Sequence, residues 1–294
     1  MTNVGFIGLG NMGAPMAVNL AKAGYDLLGF DLVPAACESA RRAGIAIASD
    51  AASCVRGRDV AITMLPAGRH VLEVFRGIVP AMTKGALIVD CSTIDVDSAR
   101  SAHALADAAG LRALDAPVSG GVAGAMAATL TFMVGGSDDA FARGETILAS
   151  MGRRIVHCGP GGAGQAAKIC NNMLLGISMI GACESFALAE KLGLDRQKLF
   201  DVISTSSGNC WSVSSYCPVP GVGPKSPADN GYRPGFAAAL MLKDLLLAQD
   251  AATGVGAATP LGAAAAALYG EMVEAGEGDR DFSAMLPRLA AAHR

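Results

Sequence analysis

Two groups of residues in this sequence could carry chemistry. The first is Lys168 with Asn171 and Asn172, in the run Gly164-Gln165-Ala166-Ala167-Lys168-Ile169-Cys170-Asn171-Asn172. On a helix, residues three and four apart share a face, so both asparagines stand beside the lysine. No charge occurs between Lys168 and Glu184. The ammonium is therefore either buried or carried to solvent along its own stem. Burial would bring its pKa below the ordinary value of about 10.4 and make it a usable general acid or base. The second group is Gly8, Gly10 and Gly13, in the run Gly8-Leu9-Gly10-Asn11-Met12-Gly13, together with Asp31. Glycines at this spacing permit a tight turn, the approach of a pyrophosphate to the backbone, and close helix–strand packing. An acid roughly 20 residues beyond such a turn meets the ribose hydroxyls of a dinucleotide.

The elements around these residues must position them. A short strand, 4–7, leads into the glycine turn, a helix to Lys22 and a second strand, 26–30, ending at Asp31. Strand, glycine turn, helix, strand and acid is the order expected of a dinucleotide site, with the helix N-terminus offering amides to the phosphates. A carboxylate at Asp31 repels a 2′-phosphate, and Leu32 follows it rather than an arginine, so NAD is expected over NADP. Arg41 and Arg42 are near enough in sequence to bear on that choice. Further strands are expected at 60–65, 86–90, 111–116 and 129–134, with helices at 68–76, 97–110 and 138–151 between them. This alternation predicts a mostly parallel, doubly wound sheet covered by helices. Ligands of such sheets bind at the carboxyl ends of the strands. Leu65, Pro66 and Thr93 should then border the cofactor, although Thr93 equally suits a helix-capping hydroxyl. The turn Ala116-Pro117-Val118-Ser119-Gly120-Gly121 could hold a carboxylate with a hydroxyl and amides, or be an ordinary glycine-rich turn.

A helix is expected over 164–193, about 45 Å long, apolar nearly all round and hence buried. Beyond it the strand pattern stops. Helices are expected at 195–204, around Phe236, Leu240, Lys243 and Leu247, at 260–276 and at 283–292, with Trp211, Tyr216 and 217–235 in a long ordered loop. Lys243 lies on the apolar side of its helix. Its neighbour Asp244 is not expected to pair with it, because adjacent helical residues face apart. The organisation read from this pattern is an α/β domain over 1–163 and an all-α domain over 164–294, linked by the 164–193 helix.

Composition narrows the function classes. Of 294 residues, 52% are hydrophobic and 17% charged, with a net charge of −3 and no run of like charges. No nucleic-acid surface or polybasic membrane patch is expected. Eight cysteines form no Cys-x-x-Cys pair and four histidines no ligand cluster, so no metal is expected. Thiols in apolar runs fit a reducing compartment. No signal peptide is read, and the apolar run from Met173 is interrupted at Glu184, too early to span a membrane. The expected location is the cytoplasm.

Five stretches together, Phe6 to Gly13, Asp90-Cys91-Ser92-Thr93-Ile94-Asp95, Asp115 to Gly121, Gly164 to Asn172 and Lys243-Asp244-Leu245, resemble the β-hydroxyacid dehydrogenases. The resemblance runs in order along nearly the whole chain. It implies an N-terminal Rossmann domain, a helical C-terminal domain and NAD as cofactor, contacted by Gly8, Gly10, Asn11, Met12, Gly13, Asp31, Leu65, Pro66, Thr93 and Lys243. It implies Lys168 as the catalytic acid/base and Ser119, Gly120, Gly121, Asn172 and Lys243 around a small hydroxy-acid substrate. Oxidation of 3-hydroxyisobutyrate to methylmalonate semialdehyde, in valine breakdown, is the reaction implied. Reduction of tartronate semialdehyde is the alternative, and a non-catalytic dinucleotide-binding regulator is the alternative of another class. The family implies a homodimer or homotetramer. His70 departs from it, standing where asparagine is common.

Overall fold

The computed structural model describes residues 2–291. The chain divides into two compact units, Met1–Lys168 and Ile169–Arg294. The division falls inside one continuous helix.

The first unit is α/β. Its elements in order are β1 (Asn3–Ile7), α1 (Gly13–Lys22), β2 (Asp26–Phe30), α2 (Pro34–Arg42), β3 (Ala46–Ile47), α3 (Ala51–Val55), β4 (Val60–Thr63), α4 (Gly68–Ile78), β5 (Leu87–Asp90), α5 (Val96–Ala108), β6 (Arg112–Asp115), β7 (Val118–Ser119), α6 (Gly121–Met126), β8 (Leu130–Gly135), α7 (Asp138–Ala149) and β9 (Gly152–Gly159). The strand order is β3-β2-β1-β4-β5-β6-β8-β7, with β9 on β8. From β3 to β6 every pairing is parallel. The order therefore reverses between β1 and β4, which is where a doubly wound sheet opens a crevice for a ligand. Alternate residues point to opposite faces of a strand. Val4 and Phe6, Ile62, and Leu87 and Val89 accordingly enter one core with Met16, Leu20 and Phe132. Ile7, Ala61 and Ile88 enter another with Val71, Phe75 and Ile78. A sheet buried on both faces explains why these strands read as continuous apolar runs.

Three strands and three helices of this first unit were not expected. β3 and β7 have two residues each, too few to show a period. β9 reads Gly-Arg-Arg-Ile-Val-His-Cys-Gly, with both arginines exposed, so its polarity hides it. The pairings β6–β8 and β7–β8 are antiparallel, making the far end of the sheet mixed. α2, α3 and α6 are short and rich in alanine or glycine, with no long apolar stripe.

The helix α8 (Ala163–Lys191) has 29 residues. After it come α9 (Arg196–Ser204), α10 (Trp211–Ser214), α11 (Ala238–Val255), α12 (Pro260–Met272) and α13 (Met285–Ala291). α10 stands where a loop was expected. α12 gives way at Met272 to a π turn over Val273–Glu277, which reaches the expected end near 276, and Phe282–Ala284 forms a 3-10 turn before α13, which starts two residues later than expected. The expected last position of that helix, 292, lies outside the described residues. The second unit packs Met179, Cys183 and Phe186 of α8 against Met241, Leu245, Tyr269 and Phe282.

α8 corrects two expectations. It is not buried all round, since Leu174 and Leu188 are 64% and 60% exposed. It is also long and apolar enough, by length and composition alone, to cross a membrane, because Glu184 does not interrupt the helix. Its apolar residues instead supply one wall of the second unit's core.

Candidate active site

The glycine turn has the shape a dinucleotide needs. Gly8 takes φ +95°, and a Cβ there would stand 2.2 Å from the Met64 carbonyl oxygen. A Cβ on Gly13 would stand 1.8 Å from the Gly8 carbonyl oxygen, so only glycine lets α1 start against the turn. Around Gly10, by contrast, no atom lies within 4 Å of an added Cβ. The backbone there faces open space, which leaves it approachable by a pyrophosphate. α1 begins after Met12 with no side-chain cap, so its first amides are left for an anion. Asp31 is tied into the same turn. Its carboxylate accepts from Leu9 N at 2.6 Å and from Val33 N at 2.8 Å. These bonds aim the carboxylate at the mouth of the turn, and each oxygen keeps a lone pair for a ribose hydroxyl.

The loops after β4 and β5 are joined from beneath. Leu65 N donates to Ser92 Oγ at 2.8 Å, and Ser92 Oγ donates to Asp90 Oδ1 at 2.5 Å. Thr63 Oγ1 donates to the same oxygen at 2.7 Å. Asp90 Oδ2 is buried with no hydrogen-bond partner. Burial pushes the Asp90 carboxyl up to about 6, against the pull of the Ser92 and Thr63 bonds, and the Asp115 charge adds to the rise. Thr93, half-buried, is not the cap of α5; Asp95 is, its side chain accepting from Ser98 N. His70 lies in the first turn of α4 with a buried Nδ1 that has no partner.

The substrate-side turn is more structured than a plain loop. Val118 and Ser119 pair with Phe132 and Thr131 of β8. Gly120 and Gly121 follow at φ +134° and +60°, values that favour glycine, and α6 starts at once. At the start of α8, Asp115 accepts from Gly162 N at 2.7 Å and Gln165 N at 2.9 Å, and shares a 2.9 Å contact with His103 Nε2. One turn on, Lys168 is only 6% exposed.

Asn172 also lies on the buried side of α8, at 2% exposure. Asn171 is exposed and turns its amide back to Asn172 Oδ1 at 2.9 Å. The Asn172 Nδ2 donates to Asp244 Oδ2 at 2.5 Å. Asp244 is thus a residue that sequence reasoning missed, because its partner stands 72 positions away. Lys243 Nζ approaches Asp244 Oδ1 to 4.0 Å, contrary to expectation. The four-carbon stem folds back far enough to bring the charges together, though not to hydrogen-bonding distance.

Comparison with known proteins gives this architecture a family. Residues 3–159 match the model of the NAD-binding domain of 6-phosphogluconate dehydrogenase. Residues 162–289 match the model for the NAD-binding region of NADP-dependent 3-hydroxyisobutyrate dehydrogenase. The probable 3-hydroxyisobutyrate dehydrogenase of Mycobacterium tuberculosis is 51% identical over 291 residues, covering 99% of each chain. The chain belongs to the β-hydroxyacid dehydrogenase family. It is an oxidoreductase with an NAD-binding Rossmann domain and a helical C-terminal domain. An NAD-dependent L-serine dehydrogenase of Pseudomonas aeruginosa is 48% identical over 286 residues, covering 96% of each chain. A solved structure of the M. tuberculosis 3-hydroxyisobutyrate dehydrogenase with L-serine superposes with a TM-score of 0.95 over 99% of this chain and 100% of that one, at 51% identity. Within the β-hydroxyacid dehydrogenases, then, this chain's relatives include enzymes named for two different small 3-hydroxy acids.

Proposed function

We propose that this protein oxidises 3-hydroxyisobutyrate, or a close small 3-hydroxy acid, to the corresponding semialdehyde with NAD. The observation that carries the reading is Lys168: an ammonium nearly sealed from solvent, on the helix that also buries Asn172 one turn later. NAD, when bound, supplies the hydride acceptor. Lys168, as the neutral amine, takes the proton from the substrate hydroxyl; in the reverse direction its ammonium returns it. Asn172, its orientation fixed by Asp244, offers its amide to the substrate. Ser119 and the backbone of Gly120 and Gly121 hold the carboxylate. Gly8, Gly10, Asn11, Met12 and Gly13 hold the pyrophosphate, Asp31 the adenosine ribose, and Leu65, Pro66 and Thr93 line the nicotinamide side. Lys243 adds a positive charge toward substrate and cofactor.

The preference for NAD over NADP rests on Asp31, whose carboxylate is fixed by two backbone amides and opposes a 2′-phosphate. A role in valine breakdown follows from the proposed substrate. A homodimer or homotetramer accounts for the exposed Leu174 and Leu188 on α8 and Leu240 and Leu261 on its neighbours, since closed symmetry would cover them. A second reading has a specific observation behind it. L-serine is also a 3-hydroxy acid, and a relative nearly as similar is named for it.

The deciding experiment is a turnover screen of 3-hydroxyisobutyrate, L-serine and glycerate, the alcohol of tartronate semialdehyde, each with NAD and with NADP. The proposal requires the highest kcat/KM with 3-hydroxyisobutyrate and NAD. A higher value for L-serine installs the second reading, and no turnover with any pair removes both.

A further inference from the structure

Gln165 has no role in the chemistry as described, yet it is wholly buried. Its carboxamide reaches 71 to 73 positions back along the chain. Nε2 donates to the Ser92 carbonyl oxygen at 2.7 Å, and Oε1 accepts from Ile94 N at 3.1 Å. The two bonds straddle Thr93 and fix the backbone on either side of it. The Ser92 side chain is held in turn by Asp90 and holds Leu65 N. Gln165 N is itself anchored on Asp115. One side chain therefore ties the loops expected to border the cofactor to the helical turn just before Lys168.

We infer that Gln165 is a positioning residue, setting the register between the cofactor-side loop at Thr93 and the proton-transfer lysine three residues further along α8. The inference rests on the reading of Lys168 given above. The chemistry of the site explains the residue type. Ser92 O can only accept and Ile94 N can only donate, so the clamp needs one donor and one acceptor on a planar group. A carboxamide provides both. An ionised glutamate would keep the Ile94 bond and place a second acceptor against Ser92 O. A protonated glutamic acid would again provide both, and burial favours the protonated form.

The test uses Gln165→Leu and Gln165→Glu in the full-length enzyme. Hydrogen exchange at the Ile94 amide reads the clamp directly, without cofactor or substrate. Gln165→Leu should abolish its protection, weaken NADH binding severalfold and lower kcat roughly tenfold or more, on the scale of a misplaced acid/base. The kcat of Gln165→Glu relative to wild type should rise as pH falls, because protonation restores the missing donor. A purely structural glutamine would lower thermal stability without that pH-dependent recovery. The inference is overturned if Gln165→Leu loses Ile94 protection but keeps wild-type kcat and NADH affinity, or if the Gln165→Glu ratio does not change with pH. Should Gln165→Leu fail to fold, the near-isosteric glutamate decides by its pH ratio. Failure of the Lys168 reading would show separately, as retained turnover in Lys168→Ala with Ile94 protection and NADH affinity still responding to Gln165.

Discussion

Asp115 in the first unit and Asp281 in the second are both almost wholly buried, and both gather backbone amides. Their partners differ in kind. Asp281 accepts from Gly235 N, Phe236 N, Ser283 N, Ser283 Oγ and the Tyr216 hydroxyl. All of these lie between α10 and α11 or in the turn before α13, so the carboxylate fastens an irregular segment that lacks a ladder of its own. Burial, and next the Asp281 charge, push the Tyr216 hydroxyl well up, which keeps it a donor at any ordinary pH. Asp115 instead holds Gly162 N and Gln165 N, the entrance to the helix that carries Lys168. Its neighbour in the sheet, Asp90, keeps one oxygen without a partner. A buried carboxylate saturated with donors is a fastening. Asp115 serves the start of the helix that carries Lys168, beside a carboxylate with one oxygen left without a partner.

Five substitutions at four residues sharpen or break this contrast. Lys168→Ala should have the largest effect, a loss of roughly 10²-fold or more in kcat, with NADH affinity and thermal stability little changed. Lys168→Arg should fail nearly as badly, since a guanidinium cannot give up its proton. Near-normal turnover in the arginine variant, with an unchanged pH profile, would leave the lysine as an anchor only.

Asp281→Ala should do the opposite. Stripping the acceptor from several buried donors should cost at least about 3 kcal/mol of stability, read as a lowered urea midpoint. Any activity per folded molecule should survive. A stable Asp281→Ala would dissolve the distinction between the two aspartates.

Asp90 gives a pH signature. Its carboxyl titrates at about 6 when folded, above the ordinary 3.8. The native state therefore binds more protons than the unfolded state between these values, and stability falls as pH rises through that window. Asp90→Asn keeps an acceptor for Thr63 and Ser92 and should flatten the decline between about pH 4 and 6, followed by denaturation at a series of pH values. An unchanged slope would assign it to another group. Smallest is Asp31→Asn, which removes charge but keeps an acceptor for Leu9 N. It should narrow the ratio of NAD to NADP kcat/KM by about tenfold or less, the scale of one lost hydrogen-bond or charge contribution.

How much of this was legible depended on whether the partners were close in sequence. The glycine turn, the strands on either side of α1 and the acid at Asp31 are local, and they appear where the spacing put them. The length of α8 was legible for the same reason. Its exposed leucines were not, because apolar composition states that a face wants cover and not which face has it. β9 was hidden by exposed arginines at its start. Gln165 and Asp244 lay in motifs that could be quoted from the sequence, yet their tasks depend on Ser92, Ile94 and Asn172, about 70 positions away.

The continuity of α8 bears on how pieces of such enzymes can be exchanged. The boundary at Lys168 and Ile169 falls where the helix has neither glycine nor proline from Gln165 to Leu175. A recombinant chimera joined there would sever the helix between Lys168 and Asn172. The natural splice is the glycine-rich Gly159-Pro160-Gly161-Gly162, which also falls at the gap between the two family matches. Even that junction separates Gln165 from Asp115, Ser92 and Ile94. Parents for domain exchange should therefore be chosen by whether both carry this aspartate and this glutamine, before overall identity is considered.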